Sequence, residues 1–493
     1  MADNITVTLK HHSMLYLDCE PSISAELADH FSFYAPGYQF QPLYKKRLWD
    51  GKIRLYNRMT NELNTGLYDK LKDFCMNHNY TMTLNNGHYG LPNEKVNVNH
   101  LELVQYIEKL SLPWEIRDYQ YDAVAYGIHH KRAVLQSPTG SGKSLIIYCL
   151  LRWYLDNYES NVLVVVPTTS LVEQMYNDFA SYGMDVENDC HIIYSGKDKQ
   201  TKKRVIISTW QSIYKLSKEW FEQFGCVFGD ECHGFKAKSL SAIMNKCTEA
   251  DFRYGTTGTL DGTQVNRLVL TGLFGPVRKV ITTKDLQENN TLAKLNINVL
   301  LLNYNDEDKK KFWSDKKTYH DELDFIVTHD VRNRFISNLA VSCKGNTLVL
   351  FQLVQKHGKV LFDLIDNKVS EKRKVFYVSG ETETTDREAI RGIVEKQKDA
   401  IIVASMGTFS TGINIKNLHN IIFASPSKSQ IRVLQSIGRG LRMSDDGRPT
   451  TLYDLADDIH IGKQKNFTLG HSADRIKIYN KEQFEHKIIP VNI

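Results

Sequence analysis

The stretch Ser137-Pro138-Thr139-Gly140-Ser141-Gly142-Lys143-Ser144 separates the segment 131–135 from the apolar run 145–147. This order predicts a strand, a glycine-rich turn and a helix, which together form a phosphate-binding loop. In such a loop the backbone N–H groups surround a phosphate at the N-terminus of the helix. Lys143 is then expected on the β- and γ-phosphates of ATP, and the Ser144 hydroxyl on Mg²⁺. Ser137 stands where the general pattern has its first glycine, so a chance glycine/serine turn is the alternative for this stretch alone.

The composition is that of an ordinary globular protein. The 493 residues are 42% hydrophobic and 24% charged, which predicts several domains of roughly 100–200 residues each. No apolar run reaches the ~20 residues that span a bilayer, and the first four residues lack the blocks of a signal peptide. The eight cysteines are scattered without zinc spacing. We therefore expect a cytoplasmic protein with free thiols and no membrane association.

Apolar runs alternate with helical patterns from residue 113 to residue 460. The runs that predict buried parallel strands are 162–166, 205–207, 347–351, 400–403 and 420–423. Alternation of this kind is typical of α/β domains that carry phosphate sites at the carboxyl ends of their strands. Two such sets, split near residues 280–330, predict two doubly wound domains in tandem. The expected organisation is an N-terminal α+β domain (1–105), two parallel-sheet domains (106–285 and 286–462) and a short C-terminal helical extension (463–493).

A second signal is a pair of adjacent carboxylates, Asp230 and Glu231, at the end of the apolar segment 226–229. Asp230 is expected to hold Mg²⁺ together with Ser144, and Glu231 to orient or deprotonate the attacking water. Two carboxylates after a strand are also common on protein surfaces. The phosphate loop upstream favours the catalytic interpretation, and the adjacent Cys232-His233 looks like a metal pair only in isolation.

A third signal lies near the other end of the chain, in the segment 435–442. Arg439 and Arg442 are three residues apart, so on a helix they share one face. Two arginines that face a nucleotide across a cleft stabilise charge on the transferred phosphoryl group. We place Gln435 beside the nucleotide with them. The alternative is a basic surface helix.

These three signals, in this order, resemble the superfamily 2 helicases between residues 112 and 462. The resemblance implies two RecA-like domains, with Asp230 to His233 as the DExH box. It also implies that Gln120 reads adenine and that Thr257-Gly258-Thr259 couples hydrolysis to domain movement. The segment 407–415 resembles the motif that touches both nucleotide and strand, although Asn414 stands where an acidic residue is expected. The nucleotide-binding set is then Gln120, Ser137, Thr139, Gly140, Ser141, Gly142, Lys143, Ser144 and Gln435.

Nucleic acid is expected to cross both domains on a face next to the nucleotide cleft. Hydroxyls and helix N-termini at strand ends suit backbone phosphates, so we expect little sequence specificity. The predicted contacts are Pro167, Thr168, Thr169, Ser208, Thr209, Trp210, Gln352, Ser379, Gly380 and Thr408. Each hydroxyl has the alternative of an ordinary helix cap.

The N-terminal region carries a cluster of aromatic and basic residues, although the net charge of the chain is only +5. Between residues 38 and 58, aromatic rings alternate with cations that include Lys45, Lys46 and Arg47. Rings that stack on bases and cations that hold phosphates are typical of nucleic-acid binding. A core of aromatic residues with solvated cations is the alternative, and a hairpin that turns at Gly51, between 48–49 and 53–55, allows both.

The N-terminal domain and the motif order are similar to those of phage recombination and repair helicases. This implies an ATP- and Mg²⁺-dependent DNA helicase that unwinds or branch-migrates Holliday junctions, stalled forks, D-loops and R-loops in the host cytoplasm. Expected partners are branched DNA, RNA–DNA hybrids, and single-strand-binding or recombination proteins. The chain is expected to be monomeric or weakly self-associating.

The sequence leaves three other functions open. They are a helicase or remodeller of RNA, a translocase that pumps duplex DNA without separating its strands, and a clamp that binds ATP without hydrolysing it. Glu231 and the two arginines argue against the clamp, since a clamp needs no hydrolytic machinery. The sequence distinguishes poorly between DNA and RNA as the substrate, because the predicted contacts are with the nucleic-acid backbone.

Overall fold

The computed structural model describes residues 4–85, 91–92, 94–260, 263–315, 317–370, 373–412, 417–426, 437–438 and 447–493. The chain divides into two compact units. The first is Met1–Ser137 with Gly142–Val280, and the second is Pro138–Ser141 with Ile281–Ile493.

The first unit begins with an α+β module, residues 4–85, here named the N-terminal module. Its strands are β1 (Asn4–His11), β2 (Met14–Asp18), β3 (Ser32–Tyr34), β4 (Lys52–Arg54), β5 (Tyr56–Asn57), β6 (Glu62–Asn64) and β7 (Thr81–Leu84). Its helices are α1 (Pro21–His30), α2 (Pro42–Lys45) and α3 (Tyr68–His78). Five strands form a sheet in the order β5-β6-β2-β1-β7, and β3 pairs with β4 alone.

The turn at Gly51 exists, but its predicted hairpin is wrong. Gly51 has a φ of +82°, and a Cβ there would lie 2.5 Å from the Tyr38 ring, so the position requires glycine. Its strand β4 pairs antiparallel with Ser32–Tyr34 rather than with residues 48–49. The intervening residues 35–51, here named the basic loop, form an excursion between the two strands.

A helix, α4 (His100–Lys109), leads from the N-terminal module to a parallel sheet of seven strands. The strands are β8 (Arg132–Gln136), β9 (Asn161–Val166), β10 (Cys190–Ile193), β11 (Val205–Thr209), β12 (Phe224–Asp230), β13 (Phe252–Thr257) and β14 (Val277–Lys279), in the order β10-β11-β9-β12-β13-β8-β14. The helices are α5 (Asp118–His130), α6 (Lys143–Asn157), α7 (Thr169–Ser181), α8 (Val186–Asp189), α9 (Trp210–Ile213), α10 (Lys218–Phe221), α11 (Lys238–Lys246) and α12 (Gln264–Phe274). Buried apolar side chains cover both faces of the sheet, as the near-continuous apolar strands require.

The N-terminal module is fastened to this sheet domain by buried contacts. A Cβ on Gly66 would lie 2.0 Å from the carbonyl oxygen of Thr271, so the backbones touch there. The buried Arg253 guanidinium donates to the Ser13 hydroxyl at 2.6 Å. The module and the sheet domain therefore belong to one compact unit.

The second unit is another parallel sheet of seven strands. They are β15 (Leu295–Asn303), β16 (Thr347–Phe351), β17 (Val375–Val378), β18 (Ile401–Ser405), β19 (Asn420–Phe423), β20 (Thr450–Asp458) and β21 (His486–Asn492), in the order β17-β18-β16-β19-β20-β15-β21. The helices are α13 (Thr283–Glu288), α14 (Asp306–Phe312), α15 (Tyr319–Thr328), α16 (Asp330–Ser342), α17 (Lys359–Asp366), α18 (Thr384–Lys396), α19 (Met406–Gly412) and α20 (Phe467–Lys481). A single π-helical turn, Val354–Gly358, precedes α17.

The structure confirms the two tandem parallel-sheet domains and the small α+β region ahead of them. The C-terminal segment contains the predicted helix α20, and it also supplies strand β21, which pairs with β15 at the sheet edge. All eight cysteines are free thiols. Within the described part of the chain, no helix has the length and apolarity to cross a membrane.

Candidate ATP site and nucleic-acid edge

The chemical groups of the first unit collect at one edge of its sheet. The strands are parallel and in register, with Asp230 opposite Thr256, Thr257 opposite Gln136, and Thr209 opposite Val166. The neighbouring strands β12, β13 and β8 end in Asp230, the Thr257 segment and the phosphate loop. Strands β9 and β11, on the other side of β12, end in the predicted nucleic-acid contacts. The strand order therefore separates a candidate ATP site from a candidate nucleic-acid edge.

The phosphate loop adopts a backbone conformation that requires its glycines. Gly140 and Gly142 have φ values of +85° and +78°, a region that other residues rarely occupy. A Cβ on Gly142 would lie 2.3 Å from Nε2 of Gln120. The buried Gln120 side chain, held by the Arg117 N–H donating to its Oε1 at 3.0 Å, therefore lies against the loop. The structure thus brings Gln120 and the loop together.

The loop is fixed by local hydrogen bonds before it passes into α6. The Ser137 N–H donates to the Thr257 carbonyl at 2.9 Å, and the Ser141 hydroxyl donates to the Pro138 carbonyl at 2.7 Å. Lys143 begins α6, and its Nζ donates to the Ser137 carbonyl at 3.2 Å, which holds the ammonium over the loop. Thr139 lies at the tip of the same turn.

Ser144 follows on the first turn of α6, and its hydroxyl already has a partner. Its Oγ lies 2.9 Å from the Tyr182 phenol oxygen, a contact that the sequence did not indicate. Tyr182 lies 38 residues further along the chain, and no motif marks it.

The carboxylates that follow β12 lie in contrasting positions. Asp230 is buried and accepts from the Thr256 hydroxyl at 2.7 Å. Burial, and then the Glu231 carboxylate, raises the pKa of Asp230, while the Lys143 ammonium opposes the rise. Glu231 has a φ of +49°, a left-handed backbone that is uncommon outside glycine and collects at functional sites.

His233 connects the carboxylates to the next strand. Its Nδ1 lies 3.3 Å from Glu231 Oε2 and 3.0 Å from the Thr257 hydroxyl. The Thr257 hydroxyl in turn donates to the Thr259 carbonyl. A continuous chain of contacts thus joins Glu231 to the Thr257–Thr259 segment, and the adjacent Cys232 is buried in the apolar core.

The residues at this edge fit a nucleotide with Mg²⁺. The glycine cradle would be filled by any Cβ at Gly142, and the oxygen donors Ser144 and Asp230 suit a hard cation. Among the described residues no cluster of three or more histidine, cysteine, aspartate or glutamate side chains forms a metal site. A cation held by one carboxylate, one hydroxyl and phosphate oxygens is the usual Mg²⁺ arrangement.

Three residues that the sequence assigns to the nucleotide lie outside the described residues, namely Gln435, Arg439 and Arg442. Asn414, in the motif expected to touch both nucleotide and strand, lies outside them as well. Their roles remain predictions.

At the nucleic-acid edge, β9 leads through Pro167 into α7. The Thr168 hydroxyl caps α7 by accepting from the Leu171 N–H at 3.4 Å, and Thr169 is exposed at the first turn. Trp210 begins the short helix α9 after β11 and is half-buried. A hydroxyl, an exposed helix start and a ring therefore lie at adjacent strand ends, where they are able to meet a phosphodiester backbone.

Four of the predicted hydroxyls are buried and bonded within the fold. Ser208 donates to the Ile193 carbonyl, and Thr209 pairs with the Ser212 hydroxyl. In the second unit the Ser379 hydroxyl accepts from the Glu381 N–H, and that of Thr408 accepts from Ser405. The alternative of ordinary caps and turns describes these four side chains, because short hydroxyls at strand ends readily bond the following backbone. Gln352 and Gly380 remain accessible at the same edge of the second sheet.

The basic loop of the N-terminal module is rigid at its base and exposed at its tip. The rings of Tyr34 and Tyr38 stack at 4.5 Å, and Tyr38 meets Tyr44 edge-on at 4.8 Å. The side chains of Lys45, Lys46 and Arg47 are exposed. Next to them Phe40 is 77% exposed and Leu48 is 72% exposed. The rings brace the loop while the cations face solvent, as the alternative of an aromatic core with solvated cations predicts. Binding of nucleic acid by the loop stays a prediction.

Comparison with known proteins agrees with this geometry. The model of the "DNA helicase UvsW, N-terminal" family matches residues 4–85. The "Type III restriction enzyme, res subunit" and "Helicase conserved C-terminal domain" models match residues 113–262 and 330–444. The ATP-dependent DNA helicase uvsW of Enterobacteria phage T4 is 38% identical over 99% of this chain and 100% of its own length.

A solved structure and a more distant relative show how far the similarity extends. The crystal structure of T4 UvsW matches with a TM-score of 0.51 and 36% identity, and the match covers 99% of both chains. The DNA 3′-5′ translocase XPB2 of Sulfurisphaera tokodaii is 25% identical over 67% of this chain and 79% of its own length. Because identity to T4 UvsW extends through the N-terminal module, both sheets and the C-terminal segment, the chain belongs to the UvsW family of ATP-dependent superfamily 2 helicases.

Proposed function

We propose that the chain uses ATP with Mg²⁺ to unwind or branch-migrate branched DNA in recombination, repair and replication restart. The observation that carries this proposal is the basic loop on a module fastened to the ATP-binding sheet. A cationic, apolar-tipped projection that moves with the motor is suited to a branch point, where phosphates and unstacked bases are accessible together. We place its action in the host cytoplasm, with single-strand-binding or recombination proteins as partners.

In this proposal each group has one task. Lys143 and the loop N–H groups bind the phosphates, Ser144 and Asp230 hold the cation, and Glu231 orients water. Gln120 reads the base. From the sequence alone, Arg439 and Arg442 are proposed to complete the ATP site, with Gln435 beside them.

The nucleic-acid contacts are proposed at the two sheet edges and on the basic loop. The accessible members are Pro167, Thr168, Thr169, Trp210, Gln352, Gly380, Lys45, Lys46 and Arg47. All of them suit backbone or stacking contacts, so the preference should be for structure rather than sequence.

The test is strand separation by the purified chain on a forked duplex, a four-way junction, an R-loop and a blunt duplex. We expect activity on the first three and little on the blunt duplex, with Lys143→Ala as the inactive control. Equal ATPase stimulation by RNA, with RNA unwinding, would favour the RNA remodeller. Displacement of a triplex strand without fork unwinding would favour the duplex translocase.

A triple variant, Lys45→Ala/Lys46→Ala/Arg47→Ala, tests the basic loop. Each lost phosphate contact lowers the log–log salt slope of binding by about 0.9, so three contacts lower it by about 2.7. The matched control is Lys309→Ala/Lys310→Ala/Lys311→Ala, which removes the same charge from α14 in the second unit. Equal effects of the two triple variants would contradict a specific role for the basic loop.

A further inference from the structure

Tyr182 joins two helices of the first unit, α7 from the candidate nucleic-acid edge and α6 from the candidate ATP site. It caps the C-terminal end of α7, where its backbone N–H donates to the Asp178 carbonyl at 3.0 Å. Its phenol oxygen lies 2.9 Å from Ser144 Oγ at the start of α6. The side chain is only 7% exposed, so this contact is sheltered from water.

The ring of Tyr182 is held in place from two sides. The Tyr148 ring, one turn beyond Ser144 on α6, lies 5.3 Å away, and the Trp114 ring lies 6.0 Å away and edge-on. Such ring contacts favour one orientation. The phenol oxygen is therefore directed at Ser144 by packing rather than by the hydrogen bond alone.

Helix α7 connects this contact to the nucleic-acid edge. It starts at Thr168 and Thr169, and its 13 residues span about 20 Å. The buried side chains Val172, Met175 and Phe179 fix it against the sheet. Because the helix is one rigid element, a displacement at its first turn reaches Tyr182 at its other end.

We propose that Tyr182 is a positioning residue for the candidate metal ligand Ser144, and that α7 couples nucleic acid at Thr168 and Thr169 to the ATP site through it. A hydroxyl that coordinates a cation is a stronger hydrogen-bond donor, and an acceptor behind it fixes the direction of its lone pairs. The Tyr182 oxygen lies 2.9 Å from Ser144 Oγ, within reach to accept that hydrogen bond. The coupling part of the proposal rests on the proposed function, whereas the positioning part does not.

The test is the equilibrium binding of mant-ADP to the full chain, measured by fluorescence with Mg²⁺ and with EDTA. For Tyr182→Phe we expect the Mg²⁺-dependent gain in affinity to fall by about three- to tenfold, the range for one lost hydrogen bond. Affinity in EDTA should be unchanged. Tyr148→Phe is the matched control, since it removes a phenol oxygen from the neighbouring ring and should leave both affinities unchanged.

The same titration in the presence of single-stranded DNA tests the coupling. DNA and nucleotide must change each other's affinity by the same factor, and we expect that factor to move towards one in Tyr182→Phe. An unchanged or increased Mg²⁺ gain in the variant would overturn the positioning role. A preserved coupling factor would overturn the path through α7, and a wild-type chain that does not bind DNA would contradict the proposed function.

A loss of stability alone would appear differently. If Tyr182 only fastens α7 to α6, the variant would lower the thermal midpoint while both nucleotide affinities stay at their wild-type values. That result would also overturn the proposal, because a merely structural hydroxyl has no reason to act through Mg²⁺.

Discussion

Acid should weaken the second unit through one buried histidine, His357, in the π-helical turn after β16. The ring is 0% exposed, and its Nδ1 lies 3.0 Å from the Ser425 hydroxyl. That hydroxyl oxygen accepts from the Gln352 N–H at 3.2 Å, which leaves its proton for His357. Burial, and then the charge of Arg332, lower the pKa of His357 from 6.5 to about 3.

The direction of the effect follows from the pH values at which the folded and the unfolded chain protonate His357. The unfolded chain protonates this histidine near pH 6.5, whereas the folded chain does so near a pKa of about 3. The contribution of His357 is therefore complete above pH 6.5 and is lost as the pH falls towards 3. At about pH 5 the loss amounts to about 2 kcal/mol of unfolding free energy.

The assay must report on the second unit alone, because His12 and His130 in the first unit also have pKa values lowered to about 4. Trp313 is the only tryptophan of residues 281–493. Urea unfolding followed by ¹⁹F NMR of 5-fluorotryptophan, with Trp313 assigned by Trp313→Phe, isolates that unit. His357→Gln should flatten the decline between about pH 7 and pH 5, and the exposed His320→Gln should not. Equal declines in the two variants would refute the burial argument.

Three other outcomes are expected, two from the structure and one, for the arginines, from the sequence. Glu231→Gln should bind mant-ATP normally and lose about 10²–10⁴-fold in steady-state turnover, because shape is kept and the carboxylate is lost; weakened binding with retained turnover would make it structural. Arg439→Ala and Arg442→Ala should lower turnover by roughly 10³-fold or more for the true finger, and loss of DNA affinity alone in both would move them to the nucleic-acid face. Gly66→Ala should destabilise the chain by about 1–3 kcal/mol in thermal unfolding, since its Cβ meets a backbone carbonyl, whereas Gly470→Ala, with open space around it, should not; equal midpoints would mean that the contact yields freely.

The sequence was a good guide where the relevant physics is local. Buried parallel strands are apolar runs, and β16 and β19 begin and end at the residues predicted for them. The conformation of a glycine-rich turn between a strand and a helix is also predictable from the sequence, and Gly140 and Gly142 have the positive φ values expected there. Both features are properties of a few consecutive residues.

Pairings between distant segments were not visible in the sequence. Gly51 predicted a turn, but the sequence did not show that the following strand β4 pairs with Ser32–Tyr34, because that segment carries no complementary pattern. Strand β21 contains Pro490, which is tolerated only at a sheet edge and breaks the usual strand pattern. The contact between Tyr182 and Ser144 depends on the packing of α7 beside α6, which no local pattern records.

The buried ion pair of Arg332 and Asp457 in the second unit positions the backbone around it more than it stabilises the fold. Arg332 grips Asp457 with two bonds of 2.6 and 3.0 Å and also donates to the Ala424 carbonyl at 2.8 Å. Buried pairs of this kind add little net stability over apolar residues, but removal of one partner leaves an uncompensated charge. Ala424 lies beside Ser425, which bonds Gln352 and His357. The pair therefore holds the backbone at the end of β19, next to the serine that bonds Gln352, one of the proposed nucleic-acid contacts.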